Sequence, residues 1–551
     1  MVKMNKPFNN TGMMLRSLFK RDWLKYLFWL LGLLAYAASG VGKLELAITP
    51  ENRTSMYTLF SGPALVSLFG PTAVKSPEQF TGAAAFGGLM PLITVMVFAI
   101  VTIVYVVNRT RKDEDEGIAE LLRSFQIGKL SNTTAVVIEV FLLQLIMTVA
   151  LAGSIQAQGA VGMTNFAVNL LFAASITGQS FLWGMVALLF AQIFPEAGTA
   201  KGMSIGLFFV LYVLRMGTDI SNIKLSWFNP LSWSYLTQVY VNNNWLPILY
   251  TLILAAILLI VAYQLEIHRD VAAGYVPEAR GKAHAGKLLM NFTGLTLRMQ
   301  RTAAIGWIIG LFVLGVTYGS MINKIGSLIG GASSSSNNLL QKELQITADA
   351  NSNLMAQQFL GTVYMVIAVI ATCFAITSLS RMVSEERKNR QEQLYALPIS
   401  RLKVFLNYTI IAWVLGALAQ FAGVLGVYLS QTGNKNALSA GTIFGGGLAW
   451  SFGIFFVLSL LSLLMAFAPR ASALVWVYIG FAFFMGIIGN ILSFPKWAMN
   501  LNIFHNLMKT ASATVLPNTP NWTNLMIILM IALILTVIGF VGYRKRDLIS
   551  G

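Results

Sequence analysis

The sequence predicts an all-α polytopic membrane protein of about twelve transmembrane helices, arranged as two tandem six-helix halves with both termini in the cytoplasm. Three observations predict it: long apolar runs, their recurrence as two similar sets of six, and a lopsided distribution of Lys and Arg along the chain.

The runs of the first set cover 24–42, 87–107, 133–156, 166–192, 202–217 and 246–265; those of the second cover 303–322, 357–377, 403–430, 443–468, 472–492 and 524–543. Most reach the roughly 20 residues with which a helix crosses about 30 Å of hydrocarbon while satisfying its own backbone groups. Strands of a membrane barrel would alternate in segments of about ten residues. The unbroken stretch from Leu246 to Leu265 does not alternate, which excludes the barrel. With 56% hydrophobic residues, 11% charged residues and a mean hydropathy of +0.68, too little polar surface is left to cover a soluble globule of 551 residues. The single cysteine, Cys373, lies in the eighth run, so a disulfide within the chain and a cysteine-cluster metal site are both excluded. Polar residues precede the first run and no small-residue cleavage pattern follows it, so it is expected to be a retained helix.

A net charge of +17 suits nucleic acid or membrane, and the placement of the charges favours membrane. With a cytoplasmic N-terminus, the inside segments hold 28 of the 38 Lys and Arg, which is the positive-inside asymmetry. Basic residues there meet anionic lipid head groups. No soluble basic domain exists to bind nucleic acid, and that class is set aside.

The halves betray a duplication in the same orientation. After the second run, Asp113 to Leu122 is matched by Glu385 to Leu394 at an offset of 272 residues, and the match continues from Ser124–Leu130 to Ala396–Leu402. Phe194-Pro195 pairs with Ala468-Pro469, and the basic approach Arg16 to Lys25 pairs with Arg298 to Arg301. The expected domains are therefore 1–265, a cytoplasmic linker 266–302, and 303–551. In the first acidic segment the carboxylates precede Ile118, Leu121, Leu122 and Phe125, the spacing of a short amphipathic helix with acids near its positive end. Such a helix either rests on lipid or offers an apolar ridge to a partner. Recurrence in the second half, with Leu394, Leu397 and Ile399, favours the partner.

No catalytic constellation is present. His268, His284 and His505 lie in different parts of the topology with no metal-ligand partner at i+4. Gly281 to Leu288 fits the first part of a phosphate-binding loop, but Leu288 replaces the hydroxyl that would hold magnesium and no strand precedes it. Neither ATP hydrolysis nor a bound cofactor is expected of this chain. Two charges lie within the runs. Glu139, one to two turns from the inner end of its helix, is expected either to pair with head-group water, Lys129 or Arg123, or to act in coupling; Arg215 sits near the outer end of the fifth run. Gly82, Gly87, Gly88, Gly445, Gly446, Gly447 and Gly453 read as helix-packing positions, and Phe481, Phe483, Phe484 and Met485 suit an adaptable apolar surface. No substrate-contacting residue is assignable.

Several motifs together resemble the fused permeases of type 2 ATP-binding-cassette exporters. They are the turn Leu397-Pro398-Ile399-Ser400-Arg401, the outer Phe228-Asn229-Pro230-Leu231-Ser232-Trp233, and the linker run Arg269 to Pro277 with Gly281, Leu297-Arg298-Met299-Gln300-Arg301 and Trp307. The linker is similar to that of permeases exporting polyketide antibiotics, including tetronasin and other polyether ionophores. The first half departs from the turn, carrying Gln126-Ile127-Gly128-Lys129. The resemblance implies a bacterial plasma-membrane permease without its own ATPase site. Two copies of a separate cytoplasmic ATPase subunit, holding ATP and magnesium, would engage Asp113, Glu114, Glu116, Glu120 and Leu121 in the first half. In the second half they would engage Glu385, Glu386, Glu392, Leu394, Pro398 and Arg401. A hydrophobic small-molecule substrate and membrane lipids are the other implied partners. Twelve helices in two halves also suit a proton-coupled secondary drug efflux transporter, which remains the alternative.

Overall fold

A computed structural model describes residues 7–48, 53–270, 273–276, 291–329, 352–432, 438–488, 496–509 and 518–546, except 62–65, 67, 68, 124, 126, 388, 389 and 397, together with 284, 286 and 289. The chain separates into two compact units, Met1–Gly281 and Lys282–Gly551, each with its own apolar core. Regular structure among the described residues is helical, with one isolated β-bridge between Met508 and Pro520.

The first unit contains α1 (Thr11–Ala47), α2 (Gly82–Val107), α3 (Ser131–Gln158), α4 (Phe166–Ile193), α5 (Ala197–Ser221) and α6 (Leu246–His268). The second contains α7 (Phe292–Ile329), α8 (Ser352–Arg387), α9 (Arg401–Gln431), α10 (Ala440–Phe467), α11 (Leu474–Ile488) and α12 (Trp522–Lys545). Ten helices among the described residues are long and apolar enough to cross a bilayer. The first and eleventh apolar runs also fall within helices, α1 and α11, but α11 has only 15 residues. Ten spans among the described residues therefore meet the requirement of length and composition, and the first and eleventh expected spans also lie in helices.

Short polar residues set the boundaries. Thr81, Asn165, Ser400, Ser439 and Asn521 each accept a backbone N–H of the first turn of α2, α4, α9, α10 and α12. Gly159 ends α3 in the left-handed conformation at φ 64°. Pro195 and Pro469 break the chain between the fourth and fifth helices of their halves. Helices α1, α7 and α8 overshoot the apolar runs with charged turns, because an apolar run reports only the lipid-facing length of a helix. Accordingly α6 ends at His268 and α7 begins at Phe292.

Packing also repeats. In the first half α4 is largely enclosed by α2, α3 and α6, whereas α5 and α6 leave most of their surface outward. In the second, α10 packs between α8, α9 and α12. At the far end of each half an Asn holds the loop after the fifth helix. Asn229 accepts the Leu231 N–H and donates to Leu211 O, and Asn502 accepts the Phe504 N–H and donates to Ala482 O. The Asn-Pro-Leu motif is thus a cap that ties a 3-10 turn back onto the fifth helix.

Close helix approach is concentrated elsewhere than expected. A Cβ on Gly87, Gly447 or Gly453 would meet neighbours at 2.5–2.6 Å, and on Gly446 at 3.1 Å, whereas Gly88 and Gly445 face open space. The tightest contact lies between α7 and α9, where Gly315, Gly319, Gly423 and Gly426 bring two backbones together.

Candidate functional site

Each half places one acidic segment at the helix ends that lie towards the chain termini, and there the segment is bolted to its own half. After α2 the backbone passes through a π turn at Asn108–Lys112, which carries Arg111 inward and delivers Asp113–Asp115 as a single helical turn. Glu114 is buried and receives both guanidinium nitrogens of Arg269, Nη1 to Oε1 at 2.8 Å and Nη2 to Oε2 at 2.6 Å. Arg111 adds a third bond at 3.1 Å. Arg269 is the residue that ends α6, and its Nε also donates to Gln192 Oε1 near the end of α4 at 2.7 Å. Arg111 donates to Pro195 O and Ala273 O, and Asp115 Oδ2 accepts the Ala197 N–H, capping α5 from a distance. Buried guanidinium and carboxylate groups are tolerable only when paired and fully bonded, and here they are.

The linker closes this junction. Val276 N–H donates to Ile193 O at 3.0 Å, and a Cβ on Gly274 would lie 2.6 Å from Pro195 N and 2.9 Å from Phe194 C. No side chain fits at 274 without moving backbone. That is the physical content of the linker motif Arg269 to Gly274.

The second half builds the same junction with fewer charges. Glu386, buried, accepts from Arg546 Nη2 at 2.6 and 2.5 Å, and Arg546 ends α12 as Arg269 ends α6. Arg546 Nη1 donates to Met465 O, near the end of α10. A third member also recurs at the start of the third helix of each half. Lys129 donates to Ile267 O and Arg269 O, both at 2.8 Å, and Arg401 donates to Arg544 O and Arg546 O at 3.3 and 2.7 Å. A cation on the terminal carbonyls of a helix satisfies acceptors that have no partner inside it. The pairs Glu114/Glu386 and Lys129/Arg401 are separated by 272 residues, and Arg269/Arg546 by 277. Beside the second junction, Tyr395 shares bonds with Tyr543 and Gln391, and burial pushes its phenol up, so it stays neutral at neutral pH.

The expected coupling residues therefore divide. Glu114, Glu385, Glu386 and Arg401 are engaged within their own half; Glu385 is buried with Arg390 at 3.3 Å. Asp113 is buried with Arg21 at 3.7 Å, and Glu116 pairs with Lys112 at the surface. Exposed on the first segment are Glu120, Leu121 and Phe125, the last two 62% and 63% exposed, while Leu122 packs on the core. In the second half Leu394 and Ile399 pack inward and Pro398 is exposed; the side chain of Glu392 and the residue Leu397 lie outside what is described. The apolar ridge expected of both segments is thus open at the first only, among the described residues. Arg269 and Arg546 are absent from the expected site residues. Their signal in the sequence is the recurrence of Arg269-Asp270 with Gly274 as Arg546-Asp547 with Gly551.

Two charges within the apolar runs are buried. Glu139 does not pair with Lys129, whose ammonium donates to Ile267 O and Arg269 O; the side chain of Arg123 lies outside what is described. Glu139 is fully buried and accepts from the hydroxyls of Tyr26 and, at 2.6 Å, Tyr105. The inner turns of α1 cover it, because that helix begins at Thr11 and not at residue 24. Asp22 lies beside it, held by Arg109 at 2.5 Å and Lys25 at 2.7 Å. The 272-residue offset puts Ile411 and Thr377 at the positions of Glu139 and Tyr105, and aligning Trp29 with Trp307 puts Ala304 at Tyr26. The second half folds without this network. Arg215 is also fully buried, paired with Asp219 at 2.6 Å, whose other oxygen accepts from Ser226 and Tyr235, both at 2.6 Å. That cluster fastens the Asn229 loop to α5.

Comparison with known proteins agrees with a permease architecture. The family described as "Multidrug efflux system permease Rv1217c, C-terminal domain" matches residues 289–544. Over 561 aligned positions the chain is 27% identical to the multidrug efflux system permease protein Rv1217c of Mycobacterium tuberculosis, covering 98% of this chain and 95% of the relative. The chain is a multi-pass membrane protein, similar over almost its whole length to a drug efflux permease.

Proposed function

We propose that this chain is the transmembrane permease of an ATP-driven exporter of hydrophobic or amphipathic compounds, with antibiotics of the polyketide and polyether type as the substrate class. A separate ATPase subunit supplies the energy, and two copies dock at the two acidic segments. The carrying observation is the duplicated junction: two halves that differ widely in sequence keep one construction where a partner on that side of the membrane would act. Near full-length similarity to a multidrug efflux permease supports the efflux direction. Substrate then moves outward by alternating access between the halves.

The exposed ridge of the first segment gives the test. Leu121 and Phe125 are 62% and 63% exposed, so Leu121→Asp with Phe125→Asp should leave folding intact while lowering capture of the ATPase subunit at least tenfold. Unchanged capture together with unchanged monensin resistance in cells would refute docking there. A proton-driven mechanism has one observation in its favour, the buried Glu139 carboxyl within a span. Export of ethidium from proteoliposomes with the proton gradient collapsed separates the two: it persists with ATP under the first reading and stops under the second.

A further inference from the structure

Resting on the reading above, we infer that Arg269 and Arg546 are positioning residues through which displacement of each acidic segment is delivered to the sixth helix of its half. Both stand at the last turn of that helix, with their own N–H groups still bonded into it, Arg269 to Leu265 O and Arg546 to Gly542 O. Both send one face of the guanidinium to the buried carboxylate of the acidic segment and another nitrogen to the end of the fourth helix, at Gln192 Oε1 or Met465 O. A planar fork holds its several donors in one fixed arrangement and so sets the direction between its two partners, which the freely rotating donors of an ammonium do not. Lys129, two residues ahead of α3, and Arg401, the first residue of α9, grip the corresponding terminal carbonyls, so the end of the sixth helix is clamped on two sides. A segment that moves must therefore carry the sixth helix with it or break a buried pair. Three further facts show that this is a retained device. The acid, the capping Arg and the third-helix cation all recur at near-constant spacing. The two halves reach the same geometry with a Lys in one and an Arg in the other. The Glu139 network, by contrast, occurs in one half only.

The test uses the full permease with the ATPase subunit that co-purifies with it, in proteoliposomes loaded with ethidium. Arg269→Ala and Arg546→Ala should retain the subunit and its ATP hydrolysis while ethidium exported per ATP falls at least tenfold. Arg269→Lys and Arg546→Lys, which keep the charge and lose the fork, should recover only part of the ratio, and the exposed neighbour variant Lys545→Ala should match the wild type. Glu114→Gln and Glu386→Gln provide nearly isosteric substitutes if the alanine variants do not fold, and are expected to show the same uncoupling. Hydrogen exchange on the permease alone reads the clamp without any partner. In Arg269→Ala, amides of 112–117 and of 265–269 should both exchange at least tenfold faster while those of 250–260 do not change. If exchange rises in this way yet export per ATP is unaffected, the sixth helix is not the output and the inference is overturned. It is equally overturned if only 112–117 loosens. If the wild type captures no ATPase subunit and exports nothing with ATP, the functional reading fails, and the exchange result shows separately whether the clamp exists.

Discussion

Replacing one hydrogen by a methyl group should have opposite effects at two glycines a turn and a half apart on α7. A Cβ at Gly315 would lie 2.0 Å from the carbonyl oxygen of Gly423 and 2.8 Å from its carbon. Reaching an ordinary carbon–oxygen separation of about 3.3 Å requires α7 and α9 to part by roughly 1.3 Å along that line. The obstacle is backbone, so no side-chain rotation relieves it. Parting the helices also opens the reciprocal contact, where Gly426 now approaches Phe312 O so closely that a Cβ there would sit at 2.3 Å. Forced overpacking of this kind costs about 1–3 kcal/mol, and lost dispersion along the seam adds to it. At Gly310 nothing lies within 4 Å of the added carbon, and Ala in a helix interior is favoured over Gly by about 0.5–1 kcal/mol. Gly315→Ala should therefore unfold at lower, and Gly310→Ala at slightly higher, denaturant than the parent in an SDS titration from mixed micelles. Because the helix-propensity gain applies at both positions, the gap between the variants is the overpacking cost, about 1–3 kcal/mol. Equal stability of the two would show that α7 and α9 do not meet at the glycine seam.

Two smaller perturbations test the junctions. Asp115→Ala removes the acceptor 2.8 Å from the Ala197 N–H, and a lost cap costs about 1 kcal/mol; amides 197–200 should exchange faster with the rest of α5 unaffected. Glu139→Ala removes the carboxylate that accepts from two buried phenols, while Tyr26 keeps its bond to Tyr105 and Tyr105 its bond to Asp22 Oδ2; a hydrogen bond to a charged group is worth about 1.5–3 kcal/mol, and Glu139→Gln retains a carbonyl oxygen for one of the two. The SDS midpoint should fall in the order parent, Gln, Ala, and an Ala variant as stable as the parent would remove the network from the list of structural supports.

Apolar length and charge asymmetry make the number of runs, their order and the duplication legible from the sequence, because both are local properties of the chain. The acidic segments are legible for the same reason: charge and a helical apolar stripe lie within ten residues. Partner choice is not local. Glu114 finds Arg269 across 155 residues and Glu386 finds Arg546 across 160, and no periodicity within either segment announces it. The repeat does announce it indirectly, since Arg269-Asp270 and Arg546-Asp547 recur at the ends of the sixth helices. The burial of Glu139 is hidden for a different reason: apolar runs mark where lipid begins and not where helices do, and the thirteen residues of α1 that precede residue 24, among them Asp22, lie outside the run. Glycines mislead likewise, because a small residue permits close approach without requiring it, and only the geometry separates Gly315 from Gly310.

Duplication also separates two kinds of constraint inside one chain. After the halves became independent, each position was free to change unless folding or function held it in both copies. At the position of Glu139 the second half carries Ile411, buried against an apolar core, so the six-helix unit does not need a carboxyl there to fold. The junction behaved otherwise. The cation that opens the third helix changed from Lys129 to Arg401 and the fourth-helix acceptor from the Gln192 side chain to the Met465 backbone, yet the carboxylate, the capping Arg and their contact were kept. A buried ion pair is a poor way to gain stability, since a well-packed apolar pair of similar volume is often as good or better. Keeping it twice while its surroundings drifted points away from stability and towards position: the pair fixes where the acidic segment sits relative to the sixth helix, and an apolar contact would let that register slide.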